Sequence, residues 1–131
     1  MMKIALPVLV LSLAVLPACN NTPLIPICKK APQIALFVLA RDSITKAPLT
    51  NNNLSGRIFE ASTQFTGALN AFNSNGALEY LGTDRPGTYD VFVSATGYKD
   101  WKKSGVSFVL STDNCGIIPV SDTANMVKAT P

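Results

Sequence analysis

A strict two-residue alternation of apolar and polar side chains constrains the fold of this chain more than any other feature. It follows Pro86-Gly87, a turn in which proline fixes φ and glycine accepts a positive φ. Mainly polar residues fill the positions between its apolar members, which are Tyr89, Val91, Val93 and Ala95. This pattern predicts a central β-strand with one face in a hydrophobic core.

The N-terminal segment is typical of an export signal. Met1-Met2-Lys3 is a short basic region, and the apolar run from Ile4 to Leu16 is shorter than a typical membrane-spanning helix. The run ends in Leu16-Pro17-Ala18-Cys19, which resembles a bacterial lipobox. In lipoproteins of this class the leader is removed before the cysteine, whose sulfur carries a diacylglycerol. The resemblance therefore implies lipid on Cys19.

We accordingly predict a signal peptide at residues 1–18, a lipidated tether at 19–27 and one domain at 28–131. The tether contains prolines and no periodicity, so it is expected to be extended. Asn20 after the cysteine favours, by resemblance to enterobacterial sorting, an outer-membrane lipoprotein facing the periplasm. Two alternatives remain: an ordinary signal peptide cut after Ala18, or an uncleaved membrane helix.

The three cysteines are consistent with this prediction. If Cys19 carries lipid, Cys28 and Cys115 remain, and an exported chain meets an oxidising compartment. We expect these two residues to form a disulfide that joins the ends of the domain. A metal site or catalytic thiol at the pair is the alternative, and the chain contains no histidine to support either.

The composition restricts the functions that the chain can perform. The absence of histidine excludes Ser-His-Asp and Cys-His catalytic groups, and a net charge of +3 does not indicate a nucleic-acid partner. We predict no enzymatic activity, no cofactor and no metal.

Short strands separated by turn signals at roughly ten-residue spacing continue through the rest of the chain. A loop is expected at Gly67–Asn75, a hairpin turn at Asn75-Gly76, and an exposed crossing at Lys99–Lys103. The last strand contains Asp122 among apolar residues, which indicates a sheet edge or a bulge. The unbroken apolar run of the first expected strand, Gln33–Arg41, indicates burial on both faces or an edge covered by the tether. The second, Gly56–Thr66, is expected to bury the face that carries Phe59 and Phe65. The other expected strands include Ala77–Leu81, Thr88–Ala95, Gly105–Leu110 and Ile117–Val127.

Several segments together resemble the carboxypeptidase regulatory-like domain, a transthyretin (prealbumin)-like module of exported bacterial proteins. The resemblance covers roughly residues 28 to 128, and it implies an all-β, seven-stranded Greek-key sandwich. Lys46 stands where the family usually has glycine, and Asp122 where it usually has an apolar residue. The segments that carry the resemblance are Asp42–Pro48, Tyr80–Tyr89, Ser94–Tyr98 and Asp113–Val120.

The family implies a non-catalytic structural or protein-interaction module, here lipid-anchored in the bacterial cell envelope with an envelope protein or a glycan as partner. The alternative function is a carbohydrate- or peptide-binding module that uses Tyr98 and Trp101 as a stacking platform. The same two aromatics could instead cap one end of the core. Paired carboxylates would indicate acid-base chemistry, but Asp84, Asp90, Asp100 and Asp113 are expected in turns or on a solvent face.

Overall fold

A computed structural model describes residues 33–50, 54–73, 75–82, 85–113 and 115–130. These residues form seven β-strands and no helix, which confirms the predicted all-β class and strand number. None of them lies in a helix long and apolar enough to cross a membrane. The predicted leader, Cys19, the tether and Cys28 lie outside the described residues. The strands are β1 (Ile34–Asp42), β2 (Leu54–Glu60), β3 (Phe65–Ala71), β4 (Ala77–Leu81), β5 (Gly87–Ala95), β6 (Trp101–Phe108) and β7 (Val120–Met126).

The strands form one sheet in the order β6-β5-β2-β3-β4-β1-β7. All neighbours are antiparallel except β1 and β7, which run parallel. β3 pairs with β2 along five residue pairs but with β4 along only two, so it is a weak joint between two halves of the sheet. Buried side chains from both halves form a single cluster, including Leu36, Leu78, Ile58 and Val91.

Strand β5 has the burial that its alternation predicts. Tyr89, Val91 and Val93 are almost completely buried, while the residues between them are half-buried. The strand lies between β2 and β6 and pairs with both. The most regular segment of the sequence therefore contributes directly to the core.

Strand β1 is less symmetric than predicted. Leu36, Val38 and Ala40 are fully buried, whereas Phe37 and Leu39 on the other face are half-buried. The Phe37 ring meets the Phe72 ring edge-on, with ring centroids 6.5 Å apart. The expectation of burial on both faces therefore holds only in part.

The predicted strand Gly56–Thr66 is wrong, because the segment contains two strands and a turn. β2 ends at Glu60, residues 61–64 turn the chain, and β3 begins at Phe65 inside what was expected to be one strand followed by a loop. The predicted face is also wrong, since Ile58 and Glu60 are buried and Phe59 is only half-buried. Gln64 makes the turn with φ 58°, a left-handed conformation that usually signals glycine.

The last two strands differ from the prediction at their starts. β6 begins at Trp101 rather than Gly105, and Gly105 lies within the strand with φ 76°. The pairing of β6 with β5 shifts register between Tyr89 and Val91. This irregularity within β6 explains why the sequence pattern placed the start of the strand too late. β7 begins at Val120 rather than Ile117 and lies at one end of the strand order, so the edge position inferred from Asp122 is confirmed.

Candidate functional site

Tyr98 lies in the tight connection between β5 and β6. Its backbone N–H donates to the Ala95 carbonyl over 3.1 Å, and its hydroxyl donates to Asp42 Oδ2 over 3.1 Å. The ring is half-buried and packs against the core. Tyr98 is thus fixed at both its backbone and its hydroxyl.

Asp42 is the buried partner of Tyr98 and ends β1. Its Oδ1 accepts hydrogen bonds from the N–H groups of Ile44 and Thr45 over 2.8 and 2.9 Å, and Lys128 Nζ lies 3.9 Å from Oδ2. The backbone bond from Thr45 and then that from Ile44 lower the pKa of Asp42 to about 2, against the opposing effect of burial. Burial and the nearby Asp42 carboxylate raise the pKa of Tyr98.

Trp101 opens β6 and lines a cavity of about 250 Å³ together with Lys99, Asp100, Asn125 and Val127. Its indole is half-buried and packs against the core. Asn125 belongs to β7, and its Oδ1 accepts a hydrogen bond from Arg41 Nε over 3.1 Å. The cavity therefore combines an aromatic ring with polar side chains from two distant parts of the chain.

Tyr98 lines a different cavity, also of about 250 Å³, whose other walls are Pro48, Leu49, Thr50, Ala95 and Thr96. Within the described part of the chain the Tyr98 and Trp101 rings make no ring contact with each other. The two side chains named as a joint stacking platform therefore lie near the same end of β5 and line different cavities.

The lysines that follow Trp101 belong to ion pairs. Lys102 Nζ lies 2.8 Å from Asp90 Oδ2, and Lys103 Nζ lies 2.6 Å from Asp122 Oδ2. The hydrogen bond from Lys102, and then one from Ser104, lower the pKa of Asp90. Lys102 also lies over the Phe92 ring, 5.2 Å from its centroid.

A second buried carboxylate, Glu60, lies near the other end of β5 and was not singled out from the sequence. It accepts a hydrogen bond from the Thr63 hydroxyl, and Arg85 Nη2 lies 3.9 Å from its Oε2. The Arg85 guanidinium stacks over Phe65, 4.0 Å from the ring centroid. These contacts attach the turn before β5 to the turn between β2 and β3. Glu60 therefore stabilises the fold.

The remaining carboxylates considered from the sequence do not converge. Asp113 accepts hydrogen bonds from the Ser111 hydroxyl and from the Cys115 N–H, whereas Asp100 faces the Trp101 cavity. Asp84 lies outside the described residues. Across the described ranges, no three His, Cys, Asp or Glu side chains are grouped as metal ligands would be.

Cys115 is half-buried in the connection between β6 and β7. This connection is closed by backbone hydrogen bonds from Ser111 to Gly116 and from Ile118 to Val109, each 2.8 Å long. Cys28 lies outside the described residues, so the pairing of the two cysteines stays a prediction, as does lipid on Cys19.

The comparisons with known proteins add no relatives to these observations. The chain matches no family model, and no curated protein is significantly similar to it. The resemblance to the carboxypeptidase regulatory-like domain therefore stays a prediction that rests on the segments quoted above.

Proposed function

We propose that this chain is a lipid-anchored protein of the bacterial cell envelope whose domain serves as a non-catalytic structural or protein-interaction module. The observation that carries the proposal is the sequence Leu16-Pro17-Ala18-Cys19 at the end of a basic and apolar leader. Two or three acyl chains on one cysteine would hold the domain at a membrane, since each buried methylene contributes about 0.8 kcal/mol. The leader and tether are the predicted segments 1–18 and 19–27.

The strand pairing supports a prealbumin-like Greek-key sandwich as the finer description of the domain. β3 pairs extensively with β2 and only briefly with β4, so the sheet can divide there into two layers. The side chains of both halves meet in one core. In this arrangement β2, β5 and β6 form one layer and β1, β4 and β7 the other.

A Cys28–Cys115 disulfide is the second part of the proposal. Cys115 is half-buried in the connection between β6 and β7, and Cys28 lies outside the described residues. Cys28 precedes β1, and β1 pairs with β7, the strand that follows Cys115. A bond between them would fix the tether end of the domain to the β6–β7 connection, and in the chain-entropy model it would contribute roughly 4 to 5 kcal/mol.

The non-catalytic role is supported by the contacts of the carboxylates. Asp42 organises a turn, Glu60 holds two turns together, and Asp122 joins the two edge strands through Lys103. Each of these acidic groups has a partner that stabilises the fold. The alternative of a carbohydrate- or peptide-binding module is favoured by one observation, the cavity beside Trp101.

Metabolic labelling with an alkyne analogue of palmitate tests the anchor. We expect the wild-type protein to take up label and to fractionate with membranes, because the acyl chains bury in the bilayer. A Cys19→Ser variant should lose the label and leave the membrane fraction, whereas Cys115→Ser should keep both. Equal labelling of wild type and Cys19→Ser, or no labelling of either, would contradict the proposal.

A further inference from the structure

The cavity beside Trp101 has walls that are held in place by backbone pairing. It measures about 250 Å³ and lies between the start of β6 and the end of β7. The Lys99 N–H donates to the Val127 carbonyl over 2.8 Å, and the Ala129 N–H donates to the Gly97 carbonyl over 2.9 Å. Both sides of the cavity are therefore positioned before any ligand arrives.

The polar groups of the cavity are available for a ligand. Arg41 occupies the Asn125 oxygen, which orients the amide so that its NH₂ group can donate. In the described part of the chain, the side chains of Lys99, Asp100 and Trp101 make no hydrogen bond or ion pair. By contrast, the two lysines that follow Trp101, Lys102 and Lys103, both belong to ion pairs. The charged side chains that line the cavity are therefore less engaged than their neighbours on β6.

We infer that this cavity binds one saccharide unit of a glycan. A sugar ring has an apolar face of C–H groups and an edge of hydroxyls that both donate and accept. The Trp101 ring and Val127 supply an apolar wall for the face, while the Asp100 carboxylate and the Asn125 amide supply an acceptor and a donor for the edge. Lys99 and Asp100 carry opposite charges, which favours a neutral ring over a polyanion.

A peptide fits this position less well. Peptides that join a sheet edge need free backbone N–H and C=O groups on the edge strand. At this end of the sheet, the backbone of residues 97–99 is already paired with that of residues 127–129, through the two bonds given above and the Tyr98–Lys128 bridge. A side-chain cavity of this size therefore remains the available site, and its polar groups match hydroxyls.

Trp101 is the only tryptophan of the chain, so its fluorescence reports on this cavity alone. The mature full-length protein, purified in a detergent without a sugar headgroup, is titrated with maltotriose, cellotriose and the trimer of N-acetylglucosamine. At least one of them should change the fluorescence saturably, with a Kd of about 1 mM or lower. No change with any of the three, or a saturable change with trialanine alone, would overturn the inference.

Two variants locate the binding while leaving the reporter in place. Asp100→Ala and Asn125→Ala each remove a hydrogen-bonding group from an exposed side chain, and each should weaken saccharide binding about tenfold. Lys102→Ala is the control, because Lys102 pairs with Asp90 rather than lining the cavity, and it should bind as wild type does. Wild-type affinity in both cavity variants, or equal weakening in the control, would contradict the assignment. The inference does not require the lipid anchor, whose failure would show in acylation and not in this titration.

Discussion

The Tyr98 hydroxyl donates a hydrogen bond over 3.1 Å to Asp42 Oδ2, and the two residues are 56 positions apart in the chain. Asp42 ends β1, Tyr98 lies between β5 and β6, and Lys128 approaches the same carboxylate from the segment after β7. One buried carboxylate therefore connects three segments at one end of the domain. The same carboxylate also caps the turn at Ile44 and Thr45.

The Asp42 contacts predict a specific dependence of stability on pH. The folded protein holds the pKa of Asp42 at about 2, below the ordinary value of 3.8, because its hydrogen bonds favour the ionised form. The stabilisation is therefore complete above the ordinary pKa and is lost as the pH falls towards 2. Asp42→Asn should reduce the free energy of unfolding at pH 7, and its difference from wild type should shrink between pH 4 and pH 2. Urea denaturation over this range measures the difference, and a gap that stays constant with pH would refute the role given to the charge.

Lys46 predicts a stabilising substitution. It has φ 62°, at the position where the resembling family usually has glycine. A side chain in this left-handed region costs roughly 1 to 2 kcal/mol, part of which is offset by the greater freedom of glycine in the unfolded chain. Lys46→Gly should therefore raise the free energy of unfolding by about 0.5 to 1 kcal/mol.

The matched control for this change is Lys46→Ala. Both variants lose the hydrogen bond from Lys46 Nζ to the Ser43 carbonyl, but alanine keeps the Cβ atom that causes the strain. Chemical denaturation should show a gain for glycine and none for alanine. An equal effect of both substitutions would mean that the backbone conformation is not the cause.

The ion pair between Lys103 and Asp122 predicts a measurable coupling between the two edge strands. Lys103 Nζ lies 2.6 Å from Asp122 Oδ2, and the Lys103 side chain is about half exposed, so solvent screens the attraction. A double-mutant cycle with Lys103→Ala and Asp122→Ala should give a coupling energy of about 0.2 to 1 kcal/mol, decreasing at high salt. Additive effects of the two single changes would show that the pair does not connect the edges energetically.

Gly67 predicts a steric cost inside β3. A Cβ at this position would lie 2.5 Å from Tyr80 Cε2 and 3.1 Å from Ile58 Cγ1. Tyr80 is buried and stacks on Phe108, so it has little freedom to move. Gly67→Ala should destabilise the fold by about 1 to 3 kcal/mol. Ala68→Ser, on the exposed face of the same strand, should change the thermal midpoint little, and a comparable loss there would rule out the packing explanation.

The sequence predicts those strands whose turns have local signatures. Asn75-Gly76 lies directly before β4, and Gly76 has a positive φ of 72°. Pro86-Gly87 marks the start of β5, but Gly87 does not take the positive φ expected for it and is instead the first residue of the strand. The turn between β2 and β3 has no such signature, because Gln64 rather than glycine takes the left-handed conformation. Alternation across Gly56–Thr66 therefore hides a reversal of the chain, and the missing turn also inverts the predicted buried face of β2.

The candidate site depends on contacts that no local pattern encodes. Tyr98 and Trp101 stand out in the sequence as aromatics just beyond a strong strand. Asp42 and Asn125 do not, because their partners are Tyr98 and Arg41, far away in the chain. Asp122 likewise interrupts an apolar pattern. Its ion-pair partner, Lys103, lies on β6, so the sequence around Asp122 does not reveal the pair.

Intact and peptide mass spectrometry of the mature protein tests the central claim most directly. The predicted product begins at Cys19 with diacylglycerol on sulfur and an acylated amine, and its unreduced digest contains a peptide that links Cys28 to Cys115. A mature chain that starts at Cys19 without acyl groups, or one that keeps Met1, would contradict the lipid anchor. Recovery of Cys28 and Cys115 as free thiols would contradict the disulfide.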